Sequence, residues 1–276
     1  MEMRYPVHQE QVKRMTTDEL RANFHIDELF QPDKLHLVYS HIDRVIVGGA
    51  VPATGPVALV ADKHDLAADY FLERREVGII NIGGAGAVNV DGQAFTLAKR
   101  DALYVGKGAQ VVFHSADGNA PAQFFLFSTP AHTTYPTTHL QIDNAAPVHL
   151  GDALNSNKRT IYKYIHPEGV QSCQIVMGMT LLEPGNMWNT MPAHVHARRM
   201  EVYCYFDIED ENVVFHLLGE AGETRHLVMR DREAVISPCW SIHSGMGTGS
   251  YTFIWAMAGE NQSFTDMDAV PMASLR

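Results

Sequence analysis

The sequence contains few cysteines and no long apolar run. Its three cysteines, Cys173, Cys204 and Cys239, form no Cys-x-x-Cys pair. An odd number at this spacing argues against a disulfide framework, so we expect reduced thiols in a cytoplasmic protein. The first residues contain no apolar signal core, which argues against secretion.

Positive charge is also scarce, since the formal net charge is −11 at pH 7. This balance argues against a nucleic-acid partner and an anionic membrane surface, but not against a small anionic substrate. Three stretches lack charged residues, namely 45–61, 119–142 and 234–259. Proline, glycine and polar residues interrupt them, whereas a membrane helix needs roughly 20 predominantly apolar residues. We therefore expect short strands and no membrane span.

Short β-strands are the dominant signal along the chain of 276 residues, which is long enough for two ordinary domains. One helix is predicted over residues 16–30, where Thr16 and Glu19 match a capping box. Strands are predicted at 35–39, 44–47, 57–60, 77–82, 87–90, 102–105, 111–113, 160–165, 175–181, 202–206, 213–218, 224–229, 234–236 and 251–257. Many short strands between turns indicate an all-β sandwich or barrel.

The two halves of the chain resemble each other. Residues 74–77, Arg-Arg-Glu-Val, echo residues 198–202, Arg-Arg-Met-Glu-Val, which aligns Glu76 with Glu201. Residues 101–106 resemble residues 233–238 in the same order. A shared strand composition could produce this echo, but a nearly constant offset favours a tandem duplication. We predict an N-terminal helix and first barrel over 1–150 and a second barrel over 151–276.

A group of histidines and one glutamate lies in the second half. His194 and His196 share one face of a strand because side chains two apart point the same way. A turn at 197–199 would place Glu201 on the next strand beside them, and His243 would approach from a later strand. Imidazole and carboxylate ligands suit Zn, Fe, Mn, Ni or Cu. The chain has 15 histidines, so a chance pair is the alternative.

This pattern resembles the motifs of the cupin superfamily. In the first motif, Gly185 precedes His194-x-His196, and Glu201 follows. In the second, Pro238 precedes His243, although the usual Pro-x-Gly and later Asn are missing. The resemblance implies a bicupin, with two tandem jelly-roll-like barrels. Residues 69–73 contain no histidine where the second copy has its pair, so we expect the metal in the second barrel only.

A closer resemblance, to the 5-keto-4-deoxyuronate isomerase family, extends over nearly the whole chain. It is found in the stretches 39–44, 70–75, 101–108, 130–136 and 188–192. The resemblance implies a ketol-isomerase of pectin and uronate breakdown that converts 5-dehydro-4-deoxy-D-glucuronate to 3-deoxy-D-glycero-2,5-hexodiulosonate. It also implies a homohexamer with one Zn²⁺ per chain, held by His194, His196, Glu201 and His243.

The residues that would carry the reaction are only partly predicted. Ketol isomerisation needs a base, and a metal-bound hydroxide, Glu260, His132 or a metal-assisted hydride shift all remain open. An acidic protein needs a local cation for a carboxylate substrate. The candidates near the motifs are Lys158, Arg159 and Arg199 with its neighbour Arg198, while Trp188 and Trp240 could border the pocket.

Two other functions use the same ligand set. The first is an iron-dependent cupin dioxygenase, which would consume O₂. The second is a non-catalytic, sugar-binding bicupin, which would bind its ligand without turnover. Metal analysis combined with NMR of the keto-uronate separates all three.

Overall fold

The computed structural model describes residues 1–263 and 265–276, and most of its regular structure is strand. The strands are, in chain order, β1 Glu2–Arg4, β2 His25–Ile26, β3 Leu35–Ser40, β4 Val45–Ala50, β5 Val57–Ala58, β6 Arg75–Asn81, β7 Gly86–Val90, β8 Gln93–Leu97, β9 Ala102–Val105, β10 Val111–Ser115, β11 Phe124–Pro130, β12 Thr138–Leu140, β13 Val148–Leu150, β14 Arg159–Ile165, β15 Val176–Leu182, β16 Trp188–Asn189, β17 His194–Val195, β18 Arg199–Phe206, β19 Val214–Glu220, β20 Glu223–Met229, β21 Glu233–Ser237, β22 Ser244–Gly247, β23 Thr252–Gly259 and β24 Asp268–Ala269.

Helices are few and short. They are α1 Gln9–Val12, α2 Thr17–Phe24, α3 Lys63–Leu66 and the 3-10 turns Ile142–Asn144 and Met272–Ser274. Within the part of the chain that the structure describes, no helix has the length and apolar character to cross a membrane. Because strands dominate the described residues and the helices are few and short, the all-β prediction is confirmed.

The N-terminal helix is shorter than predicted. The capping box is present, with the Thr16 side chain accepting from the backbone of Glu19 and the Glu19 side chain accepting from the backbone of Thr16. The helix ends at Phe24 instead of continuing to residue 30, because His25 is extended and pairs with Val235 of β21. The tertiary strand pairing overrides the local helical pattern.

Two compact units make up the chain. Unit 1 comprises Met1–Arg4, Glu28–Ala146 and Tyr164–Val176. Unit 2 comprises Tyr5–Asp27, Pro147–Lys163 and Met177–Arg276. The predicted division falls once, after residue 150, and places the N-terminal helix with the first barrel. In the structure that helix lies in unit 2, because β2 directly after it pairs with β21.

Unit 1 is a two-sheet jelly roll with an apolar interior. Its sheets have the strand orders β1-β3-β4-β11-β6-β9-β12 and β5-β10-β7-β8. Both contribute to one buried cluster, with Val77 and Leu103 from the larger sheet and Val88 and Phe113 from the smaller. Burial of these side chains stabilises the unit and fills the barrel.

Unit 2 repeats this arrangement. Its main sheets have the orders β13-β14-β15-β23-β18-β21-β2 and β16-β22-β19-β20, and the short pair β17-β24 is additional. The centre of the larger sheet corresponds strand by strand, with β4, β11, β6 and β9 matching β15, β23, β18 and β21. The structure therefore has the predicted bicupin architecture.

The strand register corrects the predicted alignment of the two copies by one residue. Val77 pairs with Val105 in unit 1, and Glu201 pairs with Ser237 at the corresponding place in unit 2. Val77, and not Glu76, is thus the counterpart of Glu201. Because strand side chains alternate between faces, a shift of one residue matters. The carboxylate position of the second barrel is occupied in the first by an apolar core residue.

Candidate metal centre

Three strand ends bring the histidines and the glutamate together in unit 2. His194 lies on β17, and His196 follows directly after this strand. A turn at Ala197 and Arg198 then leads into β18, which carries Glu201. His243 immediately precedes β22. The turn is one residue shorter than predicted, because Arg199 already belongs to β18, but it places Glu201 beside the histidines as expected.

The four side chains converge on one point. Their potential ligand atoms all lie within 4.8 Å of one another. Nε2 of His194 is 3.1 Å from Nε2 of His196 and 3.0 Å from Nε2 of His243. Ligands that bind one ion at about 2.0–2.2 Å are separated by roughly 3 Å, so these spacings fit a shared divalent ion.

The Glu201 carboxylate provides a second test of whether these four residues fit a metal ion. Its Oε2 atom lies 3.3 Å from Nε2 of His196 and 2.7 Å from Nε2 of His243. Among the described residues it nevertheless accepts no hydrogen bond, although it is fully buried. A buried carboxylate oxygen without a donor is costly, and a cation coordinated by this oxygen would remove that cost. The four residues therefore fit a metal ion.

The charge states also suit metal binding. Burial, with a further contribution from His243, lowers the pKa of His194 to about 3. Burial alone would raise the pKa of Glu201, but the neighbouring His243 and His196 hold it below its ordinary value. At neutral pH the site thus presents a neutral imidazole at His194 and an ionised carboxylate at Glu201, which are the ligating forms.

Arg199 and Asp266 support His196 from behind. The Arg199 guanidinium is almost completely buried and pairs with Oδ1 of Asp266. That carboxylate oxygen is 3.5 Å from Nδ1 of His196, and Nη2 of Arg199 is 2.9 Å from the same nitrogen. When Nε2 binds a metal, the ring proton sits on Nδ1, where Asp266 is the available acceptor. Asn261 donates to the other oxygen of Asp266 at 2.7 Å.

A cavity of about 240 Å³ opens beside the cluster. Its lining combines polar groups with aliphatic, aromatic and thioether side chains. The lining residues are Leu150, Arg159, Ile161, Thr180, Thr190, Met191, Pro192, His194, His196, Glu201, Tyr203, Phe253, Trp255, Met257 and Met267. Concave, mostly apolar sites with a few convergent polar groups are typical of small-molecule sites.

The three predicted substrate-binding cations occupy different surroundings. Arg159 is partly buried and lines the cavity, and the only hydrogen bond of its side chain among the described residues goes to the carbonyl of Asn157. Lys158 is half exposed, pairs with Glu183 at 2.8 Å and does not line the cavity. Arg199 is held by Asp266. Only Arg159 combines a free charge with access to the cavity.

The remaining predicted groups do not line the cavity. Glu260 and His132 are exposed and are absent from its lining. Trp188 and Trp240 do not line it either, and the tryptophan that does is Trp255.

Sequence reasoning missed Tyr203, whose hydroxyl is 2.9 Å from Oγ1 of Thr190. Its position two residues after Glu201 on one strand was the available signal, because such residues share a face.

Solved structures with this architecture are cupin-like proteins. An IolB-like protein from Salmonella typhimurium LT2 matches with a TM-score of 0.70 at 11% identity, over 90% of this chain and 97% of its own. The oxalate decarboxylase–formate complex of Lactobacillus farciminis matches with a TM-score of 0.60 at 11% identity, over 90% and 88%. At this identity the likeness defines the fold alone. The chain is thus a bicupin with one cluster suited to a metal among its described residues.

The sequence comparisons identify the family. The profile of the KduI/IolB family matches residues 26–272, and the chain belongs to this family. A protein of Halalkalibacterium halodurans named 4-deoxy-L-threo-5-hexosulose-uronate ketol-isomerase is 60% identical, over the full length of both chains. Proteins of the same name are 56% identical in Caldicellulosiruptor bescii and 54% identical in Escherichia coli strain SE11, again over both full lengths.

Proposed function

We propose that this protein is a metal-dependent ketol-isomerase that interconverts 5-dehydro-4-deoxy-D-glucuronate and 3-deoxy-D-glycero-2,5-hexodiulosonate. Relatives with this activity in their names align with the full chain at 54–60% identity. The structural observation that carries the proposal is the convergence of three imidazoles and one carboxylate at a cavity that is also lined by Arg159, a cation with no ion pair among the described residues.

His194, His196, Glu201 and His243 are the proposed ligands, and Zn²⁺ is the proposed ion, one per chain. Imidazole nitrogens and a carboxylate oxygen are ordinary zinc ligands. A bound ion would supply a Lewis acid that stabilises negative charge on the substrate oxygens when the α-proton is removed. Asp266 and Arg199 would keep the His196 ring in the orientation that directs Nε2 at the ion.

Arg159 is the proposed anchor for the substrate carboxylate. Burial lowers its pKa from the ordinary arginine value, and its side chain forms no ion pair among the described residues. The planar guanidinium can form two parallel hydrogen bonds with a carboxylate, which fixes the substrate orientation relative to the cluster. Leu150, which pairs with Arg159 across β13 and β14, also lines the cavity.

Tyr203 is the proposed proton donor to a substrate oxygen. Burial, reinforced by the charge of Glu201, raises the pKa of Tyr203 well above its ordinary value. The hydroxyl is therefore protonated at neutral pH and is suited to donate. Its hydrogen bond with Thr190 fixes its direction within the cavity.

Apolar side chains would keep water from the reacting carbons. Met191, Phe253, Trp255 and Met257 line the cavity close to the polar groups. Nε1 of Trp255 donates to Oγ1 of Thr180 at 3.2 Å, so the indole satisfies its donor and presents an apolar face. A lower local dielectric strengthens the interactions of the substrate charge with its partners.

Assembly and location are part of the same proposal. We expect a homohexamer, in line with the family resemblance, which light scattering of the purified protein tests. We expect a cytoplasmic location, which agrees with three cysteines that form no disulfide among the described residues.

Incubation of the metal-loaded protein with 5-dehydro-4-deoxy-D-glucuronate, followed by NMR, tests the activity. Formation of the 2,5-diketo product without O₂ consumption supports the isomerase. O₂ consumption with bound iron supports a dioxygenase, and binding without any new signals supports a non-catalytic bicupin. The variant His196→Ala should lose both metal and turnover, while the exposed His64→Ala should retain both.

A further inference from the structure

A buried arginine in unit 1 has no acidic partner. Arg75 begins β6 and exposes only 7% of its surface. Its guanidinium donates to the hydroxyl and carbonyl oxygens of Ser128 and to the carbonyl of Arg44, at 2.7–3.1 Å. The ring of Tyr39 lies 5.7 Å from Cζ. All these partners are neutral, and no carboxylate pairs with Arg75 among the described residues.

The second barrel shows how the same position is neutralised there. By the strand register, Arg75 at the start of β6 corresponds to Arg199 at the start of β18, since Val77 and Glu201 occupy equivalent places two residues later. Arg199 pairs with the carboxylate of Asp266. The first barrel supplies no such carboxylate from its own described residues. An isolated buried charge is costly, so an anion from outside would be stabilising here.

The surroundings of Arg75 leave room for that anion. A cavity of about 350 Å³ is lined by Tyr39, Arg44, Asp65, Leu66, Ala68, Phe71, Arg74, Arg75 and Pro130. Its one carboxylate, on Asp65, is 3.3 Å from the terminal ammonium of Met1. The guanidinium of Arg74 donates to the carbonyls of Leu66 and Ala67. Positive charge thus exceeds negative charge among the lining residues.

Arg44 adds an exposed cation at this cavity. It forms no ion pair among the described residues, and only its carbonyl is engaged, by Arg75. Burial lowers the pKa of Arg75 to about 10, which agrees with a guanidinium that has no counter-charge. The phenol of Tyr39 and the apolar side chains of Leu66 and Phe71 complete a lining of mixed polarity.

We propose that this cavity of the first barrel is a second ligand site, which binds a small organic carboxylate on Arg75 and Arg44. Nη1 of Arg75 donates to none of its neutral partners and can bind a carboxylate oxygen, and the phenol and apolar groups suit the carbon skeleton of a sugar acid. The site is separate from the metal cluster in its residues, and it does not depend on the proposed isomerase activity.

Calorimetric titration of the metal-loaded protein with D-glucuronate tests this site. The proteins compared are the wild type, Arg75→Met, Arg44→Gln, Arg159→Met and the control Arg232→Gln, which alters an exposed arginine that pairs with Asp231. We expect two binding equivalents per chain in the wild type and in the control. Arg75→Met should lose one equivalent and leave turnover unchanged, whereas Arg159→Met should lose the other.

If Arg75→Met does not fold, Arg44→Gln tests the second ligand site instead, because the Arg44 side chain is exposed. It should weaken one equivalent about tenfold, which corresponds to roughly 1.4 kcal/mol. Unchanged binding in both variants overturns the proposal. A single equivalent that depends on Arg75 and not on Arg159 supports the second site and contradicts the proposed role of Arg159. Tighter binding of inorganic phosphate than of D-glucuronate at the Arg75 site overturns its assignment to carboxylates.

Discussion

Nε2 of His243 lies 2.7 Å from Oε2 of Glu201, although Glu201 is on β18 and His243 precedes β22. This contact joins a residue of the larger sheet of unit 2 to the residue that leads into the smaller sheet. It closes the cluster that begins with His194 and His196, and it makes the carboxylate part of the site. The jelly roll positions the ligands, because each one comes from a strand or its immediate end.

Replacement of the carboxylate should remove the metal. Glu201→Gln keeps the shape of the side chain but removes its negative charge, so we expect metal affinity to fall more than about 100-fold, beyond the effect of an outer-shell change. Metal analysis after dialysis measures the loss. Glu260→Gln, at an exposed carboxylate, is the control and should bind metal like the wild type. Full metal content in Glu201→Gln would rule out this ligand.

The contribution of Asp266 to metal affinity, through its position beside His196, should be measurable separately from that of the ligands themselves. Asp266→Asn removes the negative charge beside Nδ1 of His196 and opposite the Arg199 guanidinium, while it keeps an oxygen that can accept a hydrogen bond. We expect metal affinity to fall about 10–100-fold, as for other outer-shell partners. Competition with a chelator of known affinity gives the value. Asp268→Asn, two residues along at an exposed position, is the control. Equal affinities of the two variants would contradict the role of Asp266.

The carboxylate anchor should affect substrate binding. Arg159→Met retains much of the side-chain volume but has no charge, so we expect KM to rise about tenfold or more, the loss of one charge-assisted pair. Steady-state kinetics show how the effect divides between KM and kcat. Lys158→Met, which removes a cation that pairs with Glu183 outside the cavity, should leave both values near those of the wild type. The opposite ranking of the two variants would assign the anchor to Lys158.

The packing behind the cavity makes a prediction about stability. A Cβ atom at Gly178 would collide with the ring of Trp255 and the carbonyl of Tyr162. Gly178→Ala should therefore lower the free energy of unfolding by about 1–3 kcal/mol through overpacking. It should also disturb activity, because Trp255 lines the cavity. A Cβ atom at Gly222 would meet no neighbour within 4 Å, so Gly222→Ala is the control. Similar unfolding curves for the two variants would refute this account of Trp255.

The sequence predicts the ligands better than their surroundings. The period of two in strands places His194 and His196 on one face, and the polar turn after them predicts the position of Glu201. Asp266 could not be found this way, because it lies in an irregular segment whose position depends on tertiary contacts with Arg199. The same limit applies to Lys158, whose pairing with Glu183 is a contact between distant parts of the chain.

The duplication shows a further limit of local patterns. The echo in the sequence aligned Glu76 with Glu201, whereas the register aligns Val77 with it. The echo treats Met200 as an inserted residue, whereas the register matches Met200 with Glu76, and a shift of one residue exchanges the two faces of a strand. Glu76 instead faces away from the barrel interior and accepts hydrogen bonds from Tyr104 and Thr129. Only the strand pairing reveals this difference.

The central claim is that one metal ion in the second barrel is required for isomerisation. Its most direct test is to strip the protein of metal, add Zn²⁺ in steps, and follow product formation by NMR at each step. We predict no turnover in the metal-free protein, and turnover that rises with bound Zn²⁺ to a plateau at one ion per chain. Turnover by the metal-free protein at the rate of the loaded one, or none at full occupancy, would contradict the claim.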